Sequence, residues 1–328
     1  MNFRKSKEQI GLFDFIERVQ ELSSRAGSLD KLNDLIDCEV FRSELLEILD
    51  YGTHQKGGRP PWDPVQIIQR YYNLSEEETE FQILDRFSFQ RFVGLSVGDT
   101  VPDKNTIWDF KQRLGPQGMK RLFELFGVLL SEQGLVGKGG KIVDASFVDA
   151  PRRRVGKEKG ETLSGKARSH VDEDDRWAKK GDETHFGYKN HAKCDAASKL
   201  VEAYEVTRAE VHDSNALEDL LGEDDQSLYA DSAYKSAAID QVLRERNIKN
   251  MIHQKGYRNH PLTDFQKRIN SLKSQARCRV EHIFGFQANS LGADWIRTIG
   301  IERAGFEIGL SNLVYNLCRC TQLGAALK

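Results

Sequence analysis

Three acidic residues stand where their surroundings make them unusual. Asp144 interrupts the apolar strand pattern KIVDASFV, Asp231 interrupts LYADSAY, and Glu281 lies in the basic helical stretch ARCRVEHIFG. Stripping water from a lone carboxylate is costly, so an aspartate in such a strand sits at its exposed end or faces something positive. Two aspartates and a glutamate predict a shared metal site. Hard oxygen donors, with no Cys or His at metal spacing, select Mg²⁺ or Mn²⁺ over zinc. A site of that kind at Asp144, Asp231 and Glu281 points toward phosphodiester chemistry. Ala145, Ser146, Ser232 and Ala233 follow the aspartates and leave room beside them. Each acid alone has a plainer reading. A strand-end aspartate can cap the next turn. Glu281 can form an i,i+4 pair with Arg277, worth about 0.3 kcal/mol and in the less favourable order.

The elements that must position these acids belong to a chain of 328 residues, 39% hydrophobic and 30% charged, which suits two domains. No apolar run approaches the roughly 18 residues of a membrane span, and the opening MNFRKSKEQIG lacks a signal peptide's apolar core. A cytoplasmic protein with no membrane partner is expected. Five cysteines, Cys38, Cys194, Cys278, Cys318 and Cys320, show no zinc spacing and read as buried thiols of a reducing compartment. The net charge of −2 hides an asymmetry. From Arg244 to Arg279 there are ten basic residues against two acidic, and from Arg152 to Arg168 seven against two. Such basic stretches flanking acidic residues are what a polyanionic substrate requires. Arg152, Arg153, Arg154, Lys273 and Arg277, with Lys189 of HFGYKNH, are the candidate DNA contacts.

Periodicity predicts an α+β chain. Residues 1–137 read as helical: Leu12, Phe15, Ile16, Val19 and Leu22 recur at helical steps, as do Met119, Leu122, Phe123, Phe126 and Leu129. KGGRPPWDP, Lys56 to Pro64, is a loop entering a helix, and Asp103 is an N-cap. Lys104, Asn105, Lys111 and Arg113 suit either a helix-turn-helix entering a DNA groove or a plain helical bundle. At Gly137 the helical pattern stops, and residues 138–328 predict a mixed sheet flanked by helices. Pro151 to Thr184, with ten basic and eight acidic residues, is a charged insertion that cannot build a core. A hairpin turn is expected at Asp195 to Ser198, short helices at Asn215 to Leu221 and Ala237 to Arg246, and strands at Asp231 and IKNMI. A long helix from Phe265 to Phe286 carries Glu281, and ERAGFEIGLSNLVYNLCRC forms an amphipathic helix on the sheet.

These strings carry a resemblance. FRSELLEILDYGTHQKGGRPPWDP and YYNLSEEETEFQILDRFSFQRFVGL in the first half, then IVDASFVDAPR, WAKKGDETHFGYKNH, VTRAEVHDS, ADSAY and RVEHIFGFQ, resemble the bacterial DDE transposases of the insertion-sequence-five family over almost the whole chain. The resemblance implies a ribonuclease-H-like catalytic core whose acidic triad falls on Asp144, Asp231 and Glu281. It implies metal-dependent cleavage and joining at inverted-repeat ends of a mobile element, a homo-oligomer on double-stranded DNA, and a nucleoid-associated place in a bacterium. The alternatives are a ribonuclease-H-like nuclease that does not join strands, and an inactive, transposase-derived DNA-binding protein. Two departures bear on the last: Ser274 stands at the family's tyrosine position and Ala288 at its lysine position. The chain also reads about two helical turns short between PPWDP and YYNLS, with Mg²⁺ or Mn²⁺ binding left whole.

Weaker signals remain. His212, Asp213 and Ser214 spell a triad whose members, adjacent on a strand, cannot form a relay. His282 faces away from Glu281. Trp62, Trp108, Trp177 and Trp295 read as core or anchor residues, with Trp177 the least easily explained.

Overall fold

Helical spacing in the first third of the chain becomes a set of short helices. The computed structural model describes residues 14–25, 27–50, 63–96, 98–137, 140–151, 176–180, 182–258 and 260–324. Helices α1 (Asp14–Ser24), α2 (Ser28–Leu35), α3 (Arg42–Ile48), α4 (Asp63–Tyr71), α5 (Glu76–Asp85) and α6 (Phe87–Phe92) precede the longer α7 (Lys104–Glu132). Asp103 caps α7 as expected, its carboxylate accepting from the Thr106 amide at 2.7 Å. Gly115, at φ 60°, followed by Pro116, breaks α7 into two segments. Residues 56–62 of the predicted entry loop, including Trp62, lie outside the described residues.

The strands form one mixed sheet. β1 (Gly140–Asp149) pairs antiparallel with β3 (Glu183–Asp195), and β3 antiparallel with β4 (Val201–Arg208). β5 (Ser227–Tyr229) then adds parallel to β1, and β6 (Lys249–Asn250) parallel to β5. A three-stranded antiparallel meander extended by two strands parallel to the first is the ribonuclease-H-like topology. The predicted turn holds: Asp195 accepts from the amides of Ala197 and Ser198 at 3.0 and 2.7 Å. Helices α8 (Leu217–Leu220), α9 (Ala237–Glu245), α10 (Asp264–Leu291) and α11 (Ile301–Leu323) complete the chain. Among the described residues no helix is long and apolar enough to cross a membrane.

Neighbouring residues of β1 enter different cores because side chains alternate along a strand. Ile142 joins a core with Ala192, Tyr204, Val280 and Ile283, whereas Val143 joins one with Leu228, Tyr234, Ile239 and Leu243. The first core continues into Phe123 and Phe126 of α7, so helices and sheet share one apolar interior. At its centre is α11, buried from Ile308 to Cys318 on every side and not only on one stripe as its amphipathic reading required. Two asparagines dock it. Asn316 accepts from the Val201 amide at 2.9 Å and donates to the Val201 carbonyl at 2.7 Å. Asn312 donates to Asn190 at 3.1 Å and accepts from Gln287 at 2.8 Å. Gly309 lets Tyr204 and Met119 approach where a Cβ would collide.

Three other expectations need correction. The charged insertion is partly in the sheet: β2 (Arg176–Lys180) pairs antiparallel with the first residues of β3, which needs only backbone groups. Arg152, Arg153 and Arg154 lie outside the described residues. Cys194, Cys318 and Cys320 are buried, burial raising the last two thiols to about 12, but Cys278 is exposed and Cys38 half-buried. The described tryptophans, Trp108, Trp177 and Trp295, are exposed and not core.

Candidate active site

The parallel register of β1 and β5 sets two of the three acids. Ile142 pairs with Tyr229, so Asp144 and Asp231, each two residues further on, stand level on neighbouring chains of the sheet, which lie about 4.8 Å apart. Asp144 is not at the strand end expected of it: β1 runs on to Asp149, and the carboxylate sits mid-strand because it faces the cation of Arg277. Asp231 has left the strand, which ends at Tyr229, and caps the turn Ser232–Tyr234 by accepting from the Ala233 amide at 2.8 Å. Its capping role and its place beside Asp144 coexist.

The third acid arrives on α10. Val280, Ile283 and Gln287 bury one face of this helix, which leaves Arg277 and Glu281 on its flank. Arg277 reaches across to Asp144, Nη1 to Oδ2 2.8 Å, while its Nη2 lies 3.5 Å from Glu281 Oε1. One guanidinium therefore spans both acids. The Asp144 arm is largely shielded, its side chain 17% exposed, whereas the Glu281 side chain is 62% exposed. Among the described residues no three His, Cys, Asp or Glu side chains are close enough to hold a metal. Carboxylate oxygens are the donor type that hard divalent cations take, and the cation of Arg277 lies between two of these acids.

Residues that sequence reasoning passed over surround the acids. Tyr234, fully buried, has a hydroxyl with no hydrogen-bond partner among the described residues. Burial raises its pKa well above the usual phenol value, and the negative charges of Asp213, Asp144 and Asp231 add to the shift. His253 is held below its ordinary value by burial, then by Arg277 and Lys273, with Asp231 opposing. Ser274, at the departed tyrosine position, is 3.3 Å from His253 Nε2. The string ADSAY contained Tyr234, but its burial depends on contacts remote in sequence.

Two predicted DNA contacts are interior. Lys189 donates to Asp213 at 2.7 Å and to the Val211 carbonyl at 2.8 Å. Lys273 donates to the Ile252 carbonyl at 2.8 Å, and burial lowers its pKa. In the predicted helix-turn-helix, Lys111 is buried between Glu76 and Glu307, as in a helical bundle. Asp213 lies in a turn and not a strand; it faces Lys189 while His212 Nδ1 lies 2.7 Å from Ser214 Oγ, so no relay forms. His282 contacts Lys199 at 3.2 Å, away from the acids.

Residues 137–317 match the family model described as "Transposase DDE domain", and residues 17–113 match "Transposase domain (DUF772)". Among solved structures, the chain is similar to a piggyBac transposase synaptic complex with hairpin DNA, at 9% identity and a TM-score of 0.43, covering 91% of this chain and 76% of that one. It is also similar to a pre-cleavage Mos1 transpososome, at 12% identity and a TM-score of 0.19, covering 96% and 88% respectively. With more than half its length in one model, the chain belongs to the transposase DDE domain family.

Proposed function

We propose that the protein cleaves and joins DNA at the inverted-repeat ends of an insertion sequence of the insertion-sequence-five type, with Asp144, Asp231 and Glu281 as its catalytic acids. The observation that carries this reading is the level placement of Asp144 on β1 and Asp231 just beyond the parallel β5, with Glu281 joined to Asp144 through Arg277. Residues 1–137 form the DNA-binding region and residues 138–328 the catalytic region. Asp144, Asp231 and Glu281 would hold two Mg²⁺ or Mn²⁺ ions, which when bound would supply Lewis-acid stabilisation of developing charge on oxygen.

The chain's own residues do the rest. Arg277 orients Asp144 through its 2.8 Å hydrogen bond and offsets the repulsion between neighbouring carboxylates. The Ala233 amide fixes one oxygen of Asp231 at 2.8 Å, directing the other away from the turn. Ala145 and Ser232, small side chains next to the acids, add little bulk beside them. The basic stretch around α10 attracts the phosphate backbone, so DNA affinity falls with salt.

The test is Mg²⁺-dependent cleavage of DNA bearing the element's ends, followed by strand transfer from a pre-cut end. Asp231→Asn is expected to abolish cleavage while leaving DNA affinity and its salt dependence unchanged. Cleavage that persists in Asp231→Asn removes that residue from the mechanism, and cutting without joining favours a plain nuclease.

A further inference from the structure

A second site opens away from the acids. A cleft of about 400 Å³ lies between α4, the first segment of α7 and the connection from α10 to α11. Asp144, Asp231 and Glu281 do not line it. On its wall stand Trp108 and Trp295, 47% and 43% exposed. An indole is a large apolar surface to leave in water, and two lining one cleft call for a flat ligand. Each ring has a guanidinium over it: Arg303 is 6.0 Å from the Trp108 centroid and Arg297 5.9 Å from that of Trp295.

The charges divide by position. Deeper in the cleft they are matched, Lys111 lying 2.9 Å from Glu76 and 2.8 Å from Glu307. Arg297 and Arg303, by contrast, hydrogen-bond to neutral oxygens, those of Asn73 and Gln112. Neither forms a salt bridge among the described residues, so two cationic charges await an anion.

A flat ring joined to an anion is a nucleotide, and the two indoles with Arg297 and Arg303 offer surfaces to both parts.

We propose that this cleft holds an unstacked nucleotide of a DNA strand, its base against Trp108 and Trp295 and its phosphate at Arg297 and Arg303. The choice of a strand over a free nucleotide rests on the transposase reading above.

The experiment uses the full chain and a short labelled single-stranded oligonucleotide, the same sequence as blunt duplex, and dAMP. Trp108→Ala with Trp295→Ala is expected to weaken single-strand binding on the order of ten-fold or more, while duplex affinity and melting temperature stay at the parental values. Arg297→Gln is expected to weaken it less and to flatten its salt dependence. Unchanged single-strand affinity in the double variant overturns the proposal, as does dAMP binding as tightly as the strand. If the double variant melts low, Trp108→Phe with Trp295→Phe decides: a graded loss supports the site, and parental affinity in both this variant and Arg297→Gln overturns it. Metal-dependent cleavage is followed on the same preparations. Cleavage with an inert cleft refutes this site alone, whereas strand binding at the cleft without cleavage supports the site and counts against the transposase reading.

Discussion

Arg277 gives the sharpest prediction, because one side chain holds two of the three acids. Its bond to Asp144 is a shielded, charge-assisted contact at 2.8 Å, of a kind worth about 1.5–3 kcal/mol. Its arm to Glu281, at 3.5 Å and exposed, adds at most about 0.5 kcal/mol. Arg277→Gln therefore loses roughly 2 kcal/mol, which at about 2 °C per kcal/mol in a large domain lowers the melting temperature by roughly 4 °C. The same substitution frees Asp144 and Glu281 for another cation. Divalent binding stabilises the folded state by about 2.7 kcal/mol at a hundredfold excess over Kd. Mg²⁺ is thus expected to raise the melting temperature of Arg277→Gln more than that of the parent, where the guanidinium competes for the same oxygens. Scanning calorimetry with and without Mg²⁺, at matched ionic strength, is the measurement. Equal Mg²⁺ shifts in parent and variant would refute the idea that Arg277 stands where a metal binds.

Two further outcomes follow from buried charge. Lys193 lies 3.0 Å from Asp225, both almost fully buried, so Lys193→Met leaves a carboxylate uncompensated and is expected to cost about 3–5 kcal/mol. Lys193→Met with Asp225→Asn should recover part of that in urea denaturation, and no recovery would mean packing and not charge governs the site. His191, fully buried, has its pKa lowered to about 4 by burial, with Lys189 adding and Asp213 opposing. Because the folded state resists the proton that the unfolded chain accepts near 6.5, this contribution is whole above that pH and drains away as pH falls toward 4. His191→Gln should lose less stability than the parent between pH 7 and pH 5, and identical slopes in the two proteins would exclude His191 as the source.

What could be read in the sequence, and what could not, divides along the range of the interactions. Asp144 and Asp231 were legible because a carboxylate inside an apolar strand pattern is a local anomaly, and the element types around them followed from local periodicity. Their level placement depends on the parallel register of β1 with β5, a pairing across more than 80 residues that no local pattern encodes. Lys189 and Lys273 counted toward a basic surface, yet each is drawn inward by a partner more than 20 residues away. A charge tally records sign and not which charges are neutralised. The burial of α11 had a signal that was underweighted: from Ala304 to Cys318 its only charged residue is Glu307, too few for an exposed stripe.

That last helix also bears on how the two halves of the chain act together. Gly137 divides the sequence by composition, but Phe123 and Phe126 from one side and Tyr204, Leu313 and Val314 from the other bury one another in a single core. Glu307 of α11 also pairs with Lys111 of α7 at 2.8 Å. A segment packed in this way cannot swing as an independent module without exposing apolar surface, at about 25 cal/mol per Å². DNA gripped by the N-terminal helices would therefore be held at a fixed distance from Asp144 and Asp231. The cleft between Trp108 and Trp295 spans the same junction, one indole from each side of it. A strand seated there would be registered against the acids by the core itself, with no hinge needed to bring them together.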